Sequence, residues 1–295
     1  MKDFILVSLI RCMGCLPLKW LRACGNAMGC LIYSRRGRSY QITATNTAIA
    51  FPQLSPEEAD CFVRNSLKEA AKTGLEACAI WTRSCDWLNK HIVKIEGEEL
   101  LKQYLSDSRG LVVLTPHHGN WEALSGFLTQ YGATTAIYQP LHKFKRTDCL
   151  VRNARAKAGL RMVTTSQSGV LQLFKALKRG EIVMILPDQV PAEQYGGHVA
   201  EFFGHPAKTM TLVDGLVQRA RPQVCGCYAE RVPGGFKIVV VPPDERIFSA
   251  DTCEAVRGLN ATIERCVKDA PTQYQWEYKR YKHLQAPFHY LYKKA

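Results

Sequence analysis

The sequence predicts an α/β fold in which a mainly parallel sheet is flanked by helices. Five short apolar runs alternate with longer amphipathic stretches of helical periodicity, a pattern typical of parallel strands joined by helical connections. The chain has 295 residues, of which 46% are hydrophobic, so it is long and apolar enough to bury a full core. No internal repeat and no low-complexity linker divides it.

The first helix of this predicted domain begins after Ser55. Ser55 can act as the N-cap, Pro56 occupies the first helical position, and Glu58 stands three residues after the cap, as in a capping box. The helical pattern continues to about Trp81. The predicted strands comprise residues 111–114, 134–138, 182–186, 224–228 and 236–241. The predicted helices between and after these strands comprise residues 123–130, 145–158, 169–178, 209–219 and 253–267.

An apolar stretch at residues 4–33 is predicted to associate with a membrane. Three basic residues, Arg11, Lys19 and Arg22, interrupt it, so no uncharged run reaches the ~20 residues that a spanning helix needs. On a helical wheel these residues fall within about 80° of one another. One cationic edge on an apolar cylinder is typical of a helix that lies in the interface. Pro17 predicts either a kink or two short helices.

We therefore divide the chain into a membrane-associated segment, residues 1–38, and a catalytic domain, residues 39–295. The basic residues at the end of the segment, at 35–38, suit an anionic cytoplasmic leaflet. A signal peptide is not predicted, because the charges lie inside the apolar region and no small-residue cleavage site follows. The alternative is that the first helix simply docks on its own domain.

The net charge of +13 indicates an anionic partner or surface. Seven basic residues between positions 141 and 161 are opposed by one aspartate, and a basic C-terminal end includes Lys293 and Lys294. Because no helix-turn-helix, zinc finger or aromatic platform is visible, nucleic acid is not the expected partner. A phosphorylated lipid, an anionic membrane surface and an acidic carrier protein would each be attracted.

The cysteines predict a reducing compartment and no metal site. The twelve cysteines stand at irregular spacings, unlike a disulfide framework. Two close pairs occur, Cys12 with Cys15 and Cys225 with Cys227, but neither is followed by a second pair at the spacing of metal ligands. We therefore expect these four residues to be buried small hydrophobic side chains.

A strand-to-helix turn at residues 117–122, with the sequence His-His-Gly-Asn-Trp-Glu, carries the candidate catalytic residues. Imidazole titrates near neutral pH, and a carboxylate can fix its tautomer and stabilise its protonated form. Spacing leaves open which histidine pairs with Glu122, since His118 would share a helix face with it while His117 is oriented by the turn. One histidine could instead pack or cap the helix. Gly119 and Asn120 are expected to leave room for a substrate.

The same segment resembles the signature of the late acyltransferases of lipid A biosynthesis, the lauroyl/myristoyl transferase family of Gram-negative bacteria. Further segments resemble that family in the family's order: residues 46–55, Tyr138-Gln-Pro-Leu141, the strand ending in Pro187-Asp-Gln189, Phe202-Phe-Gly204 with Thr209, Gln273-Tyr-Gln-Trp276, and Tyr278-Lys-Arg280. Gln139 stands where the family usually has arginine. The resemblance covers roughly residues 1–285.

The resemblance implies a glycerolipid-acyltransferase-like fold and an enzyme of the bacterial inner membrane, at its cytoplasmic face. The implied reaction moves a fatty acyl chain, lauroyl or similar, from acyl carrier protein to the 3-hydroxyl of a hydroxyacyl chain on a Kdo–lipid A precursor. Acyl carrier protein serves as the donor, and no other cofactor is implied. The alternatives are a related acyltransferase that acts on another glycolipid or amino lipid, and an inactive membrane-bound paralogue.

The resemblance also implies roles for individual residues. His117 would be the general base, with Glu122 orienting and charging it, and Arg155 would meet the oxyanion, with Arg152 as its rival. The predicted substrate-binding residues are Asn120, Arg152, Asp188 and Tyr138. Asp188 could instead cap the next turn, and Asn120 could shape the turn. Direct transfer is favoured over an acyl-cysteine intermediate, because no cysteine stands in a recognisable nucleophile motif.

Overall fold

A computed structural model describes residues 1–282 and 291–292, and the predicted basic residues Lys293 and Lys294 lie outside this part of the chain. Its main sheet has seven strands in the order β1-β9-β8-β2-β5-β3-β4, and β6 and β7 form a separate antiparallel hairpin. The strands are β1 (Ile92–Glu96), β2 (Leu111–Leu114), β3 (Thr134–Ile137), β4 (Leu160–Val163), β5 (Ile182–Ile185), β6 (His198–Phe202), β7 (His205–Thr209), β8 (Gln223–Val232) and β9 (Gly235–Val241).

Eleven α-helices occur in the described residues. They are α1 (Lys2–Gly14), α2 (Leu18–Ser34), α3 (Arg38–Ala50), α4 (Pro56–Thr82), α5 (Cys85–Lys90), α6 (Glu98–Ser106), α7 (Trp121–Leu128), α8 (Lys145–Lys157), α9 (Gln167–Lys178), α10 (Leu212–Ala220) and α11 (Thr252–Lys268). Short 3-10 helices lie at Glu193–Tyr195, Glu245–Phe248 and Pro271–Gln273. The capping box predicted at Ser55 is present at the start of α4.

The predicted α/β fold with a mainly parallel sheet is confirmed. All five predicted strands occur, and every pairing in the main sheet is parallel except β8 with β9. The two edge strands, β1 and β4, lie outside the predicted strands. Each is short and partly exposed, with charged side chains such as Lys94 and Arg161, so neither reads as a continuous apolar run.

Both faces of the sheet are covered by helices. The central strand β2 is fully buried, and its residues alternate between two hydrophobic clusters: Val112 and Leu114 on one face, Leu111 and Val113 on the other. Helices α9, α10 and α11 contribute to the first cluster, and α5, α6 and α7 to the second. This burial on both faces explains why β2 is apolar throughout.

The N-terminal segment forms two helices, because Pro17 is the N-cap of α2 and separates it from α1. Both helices pack against α4, and a Cβ at Gly29 of α2 would lie 2.3 Å from the Cα of Lys68. Arg22 points into the protein, so the expectation that it shares a cationic edge with Arg11 and Lys19 is wrong; only the latter two are exposed. Among the described helices, none is both long and apolar enough to cross a membrane.

The cysteine prediction holds for one pair only. Cys225 and Cys227 are buried on β8. Cys12 and Cys15 are exposed, because they lie on the solvent side of α1 and in the turn after it.

A buried ion cluster joins helix α2 to the rest of the fold. The carboxylate of Glu76 on α4 is fully buried and accepts hydrogen bonds from Arg22 at 2.6 Å and from Arg231 of β8 at 2.8 Å. Asn120, in the turn before α7, donates to the same carboxylate at 3.0 Å. Burial alone would raise the pKa of Glu76, but the two guanidinium groups lower it, so the group is charged at neutral pH.

Glu76→Ala should destabilise the fold, because two guanidinium groups then lose their buried counterion. Removing one partner of a buried ion pair costs about 3–5 kcal/mol, and we expect a loss of this size in the free energy of unfolding. Urea unfolding of the purified protein measures it. Glu99→Ala is the control, since Glu99 pairs with Lys102 at the surface and should change little. Equal stability of the two variants would contradict the prediction.

Candidate active site

The turn at residues 117–120 lies where β2 ends and α7 begins, at the C-terminal edge of the sheet. Parallel strands present functional side chains at this edge. All four backbone N–H groups of the turn are used within the protein: they donate to Asp188 Oδ2, Pro116 O, Gln273 O and Ala229 O, respectively. The turn is therefore held rigidly, and its backbone N–H groups are already engaged.

Gly119 allows this close approach. Its φ is +58°, and a Cβ there would lie 2.0 Å from the carbonyl oxygen of Ala229 on β8. The expectation that Gly119 and Asn120 make room for a substrate is wrong, because β8 fills the space beside Gly119. Asn120 is fully buried between Glu76 and the start of α7, where it accepts from Ala123 N at 3.3 Å.

His117 pairs with Asp188. Its Nδ1 lies 2.8 Å from Oδ1 of Asp188, while its backbone N–H donates to Oδ2, also at 2.8 Å. A carboxylate can only accept, so Nδ1 carries a proton and the neutral ring presents the lone pair of Nε2 towards the amide of Gln189. Burial would raise the pKa of Asp188, but the adjacent imidazole and its hydrogen bonds lower it, which keeps the carboxylate charged.

Two glutamines complete the surroundings of His117. Nε2 of Gln189 lies 3.3 Å from Nε2 of His117 and donates to Oε1 of Gln275 at 3.2 Å. Both glutamines lie in segments that resemble the family, but the sequence predicts no role for either. Their positions after β5 and next to the last 3-10 helix bring them to the catalytic turn only through the tertiary fold.

Glu122 was expected to orient His117, but its carboxylate pairs with Arg155 instead. It lies in the first turn of α7, 5% exposed, and binds Arg155 of α8 in a bidentate ion pair with distances of 2.5 and 3.2 Å. Burial would lower the pKa of Arg155, but the carboxylate raises it. Asp188 is thus the residue that orients His117. Its side chain is almost fully buried in this contact, so it does not face a substrate. Catalytic roles for His117, Glu122 and Arg155 stay predictions.

His118 is the histidine that packs. Its ring is fully buried, with its centroid 5.0 Å from that of Tyr228. Neither ring nitrogen has a hydrogen-bond partner within the described part of the chain. Burial, helped by the positive charge of Arg231, lowers the pKa of His118 to about 3. It is therefore neutral at physiological pH and supports the turn by packing.

An apolar cavity of about 710 Å³ opens beside these residues. His117, Glu122 and Arg155 lie in its wall together with aromatic and aliphatic side chains from the ends of β3 and β5. Gln139, which replaces the family's usual arginine, also lines it. This volume and lining suit a long apolar chain.

A second cavity of about 780 Å³ lies against the edge strand β4. Arg152 lines this second cavity and is exposed, whereas Arg155 lines the apolar one, so the geometry favours Arg155 over its rival. Tyr138 lines both cavities; its hydroxyl donates to Asp148, and its ring lies 5.8 Å from the guanidinium of Arg155. Substrate binding by Tyr138 and Arg152 stays a prediction.

Other segments that resemble the family support the site through hydrogen bonds with one another. Asn46 donates to the carbonyl groups of Trp276 and Tyr278 at 2.6 and 2.7 Å. Arg280 is buried and donates to Thr209 at 2.6 Å. Among the residues described, no group of three or more His, Cys, Asp or Glu side chains could hold a metal ion.

The low pKa of His118 predicts a pH-dependent stability. The unfolded chain protonates this histidine below its ordinary pKa of 6.5, whereas the folded protein does so only near pH 3. Stability is therefore fully present above pH 6.5 and is lost, by about 1.4 kcal/mol per pH unit, as the pH falls towards 3. His118→Phe keeps a ring against Tyr228 but removes this loss.

Urea unfolding of both proteins at pH 7 and pH 5 measures the effect. The unfolding free energy of the variant should rise relative to that of the wild type on acidification. A difference that stays constant between the two pH values would contradict a buried neutral His118.

Comparison with known proteins shows the family of the chain. A family model described as bacterial lipid A biosynthesis acyltransferase matches residues 1–283. The chain is 24% identical over 273 residues to the lipid A biosynthesis palmitoleoyltransferase of Escherichia coli (strain K12). The matched region covers 90% of this chain and 86% of that protein.

Two further relatives from the same organism carry different acyl names. The lipid A biosynthesis lauroyltransferase is 22% identical over 272 residues, covering 90% of this chain and 87% of that protein. The lipid A biosynthesis myristoyltransferase is 21% identical over 245 residues, covering 82% and 75%, respectively. Because the family match spans almost the whole chain, this protein belongs to the bacterial lipid A biosynthesis acyltransferases, a family of transferases.

Proposed function

We propose that this protein transfers a fatty acyl chain from acyl carrier protein to the 3-hydroxyl of a hydroxyacyl chain on a Kdo–lipid A precursor. The observation that carries the proposal is the His117–Asp188 pair in the wall of the apolar cavity. A base beside an apolar cavity is what acyl transfer to a lipid hydroxyl requires. Membership of the lipid A acyltransferase family supports the choice of acceptor.

His117 acts as the base in this reaction. Its Nε2 takes the proton of the acceptor hydroxyl, after that hydroxyl displaces the amide of Gln189. The hydroxyl oxygen attacks the thioester carbonyl carbon, the C–S bond breaks, and the departing sulfur takes the proton back from the imidazolium. Asp188 stabilises the imidazolium, because its lowered pKa keeps it charged 2.8 Å away.

Arg155 meets the negative charge that develops on the carbonyl oxygen. The backbone N–H groups of residues 117–120 are engaged, whereas Arg155 lines the cavity and carries a permanent charge, so we assign the donor to its side chain. Two guanidinium nitrogens of Arg155 bind Glu122, while Nη1 has a weak contact, 4.0 Å, to the sulfur of Met162. An oxyanion can take the place of that sulfur. Glu122 thus acts on the arginine, as a positioning residue.

The apolar cavity takes the acyl chain, with lauroyl or a similar chain as our proposal. The relatives are named for palmitoleoyl, lauroyl and myristoyl transfer at nearly equal identity, so identity does not choose among them. One methylene contributes about 1–3 kcal/mol of discrimination in a hydrophobic pocket. The length of the chain therefore depends on the depth of the cavity.

The protein works at the cytoplasmic face of the bacterial inner membrane. Exposed apolar side chains gather on the two N-terminal helices and on the loop before α8: Phe4, Ile5, Leu9, Trp20, Met28, Leu31, Leu141 and Phe144. Asp3 connects α1 to α8, because its carboxylate accepts hydrogen bonds from the backbone N–H groups of Arg146 and Thr147 at the start of α8.

This apolar surface lies next to the cavity. Leu141 lines the cavity, and the exposed cations Lys143, Lys145 and Arg146 follow it directly. Apolar side chains flanked by cations suit the interface of an anionic leaflet. An acceptor lipid can then enter the cavity from the bilayer.

Mass spectrometry of lipid A from the native host, with and without this gene, tests the reaction. We expect loss of one secondary acyl chain, whose mass gives the chain length. Wild type should restore it, whereas His117→Ala, Asp188→Asn and Glu122→Ala should not, since losing a residue of a catalytic unit lowers turnover by roughly 10³–10⁴ or more.

His118→Phe is the matched control and should restore the chain, because His118 only packs. If the lipid A profile is unchanged by deletion while another lipid loses an acyl chain, the acceptor in our proposal is wrong. If His118→Phe fails and His117→Ala succeeds, the assignment of the base is wrong.

Vesicle co-sedimentation tests the membrane surface. Deletion of residues 1–33 would also remove Arg22 from the buried ion cluster, so point substitutions are the cleaner test. Phe4→Glu combined with Phe144→Glu should weaken binding to anionic vesicles at least about ten-fold, since burying each ring contributes about 1.5–3 kcal/mol. Phe248→Glu, at an exposed phenylalanine elsewhere, is the control. Unchanged sedimentation of the double variant would refute this surface.

A further inference from the structure

The second cavity forms a cationic groove between α8, α9 and the edge strand β4. We define it by its basic lining residues, which are Arg152, Arg161, Lys175 and Arg179. All four are exposed. The groove holds about 780 Å³, as large as the apolar cavity, yet the proposed chemistry leaves it unused.

The charge of the groove is only partly compensated. Arg161 and Arg179 share the carboxylate of Glu181 at 3.1 and 2.7 Å. Arg152 and Lys175 form no ion pair with any residue that the structure describes. Cations near a helix C-terminus can complement the helix dipole, which accounts for Lys175 on α9. It does not account for Arg152 within α8 or Arg161 on β4, so the surplus charge fits an external anion.

The cationic groove meets the apolar cavity. Tyr138 and Leu160 line both, so the two spaces adjoin at these side chains. A ligand held in the groove can therefore extend a thin, flexible arm past Tyr138 towards His117.

We infer that the cationic groove is the docking site of the acidic carrier protein that delivers the acyl thioester. This inference rests on the proposed function. An acidic protein matches the surplus positive charge, and its arm carries the thioester from the groove into the apolar cavity. A bilayer is a poorer occupant, because the groove is concave and charged, whereas the exposed apolar side chains lie mainly on α1, α2 and residues 141–144.

Charge reversal tests the docking site. Arg161→Glu combined with Lys175→Glu reverses two groove residues that do not line the apolar cavity. We expect the KM for acyl carrier protein to rise at least about ten-fold, with a weaker dependence on salt. The KM for the glycolipid acceptor and the turnover with acyl-N-acetylcysteamine, a thioester without a carrier, should stay unchanged. Arg219→Glu with Lys268→Glu, at two exposed cations outside the groove, is the control.

Three results would overturn the inference. They are an unchanged KM for the carrier, an equal loss with the small thioester, and a raised KM for the acceptor alone, which would assign the groove to lipid phosphates. Fluorescence anisotropy of labelled carrier protein separates this inference from the proposed function. Carrier binding that the groove variant abolishes, in a wild type that transfers no acyl group, would refute the function and keep the docking site. Transfer from the small thioester without carrier binding would refute the docking site and keep the function.

Discussion

The buried carboxylate of Glu76 is the constraint on which the rest of the structure depends. A charge with no access to water is tolerated only when it is paired and fully hydrogen-bonded, and here the partners come from α2, β8 and the catalytic turn. Helix α2, the sheet and the turn are therefore fixed relative to one another by a single group. Arg231 extends the cluster to Glu69, and Thr73 of the same helix donates to the carbonyl of Gly119. The helix α4 thus supports the catalytic turn from below, and its Trp81 also lines the apolar cavity.

The backbone N–H groups of residues 117–120 hold the turn in place. In our proposal the side chain of His117 supplies the base and that of Arg155 the oxyanion donor. Each is paired with its own carboxylate: His117 with Asp188, and Arg155 with Glu122. The first pair fixes a tautomer, and the second orients a guanidinium whose charge never changes. The proton transfer and the charge stabilisation are thus set by separate residues.

Much of the fold could be predicted from the sequence, since the strands buried on both faces are apolar runs and Ser55 carries a capping box. The pairing within the site could not. Glu122 is five residues from His117, but Asp188 is 71 residues away, and only the adjacency of β2 and β5 in the sheet brings it close. The direction of the Arg22 side chain could not be predicted for the same reason. A helical wheel gives its direction relative to Arg11 and Lys19, but not that a buried carboxylate on α4 lies opposite it.

Helix α8 is where these separate features meet. Its first turn is capped by Asp3 of α1, beside the apolar surface that would face the bilayer. Its later turns place Arg152 in the cationic groove and Arg155 in the apolar cavity, against Glu122. Since a helix of 13 residues is about 20 Å long and moves as one body, its position sets all three at once. Apolar surface, candidate site and groove are therefore held in one fixed arrangement; in our proposal the acceptor arrives from one end of α8 and the donor from the other.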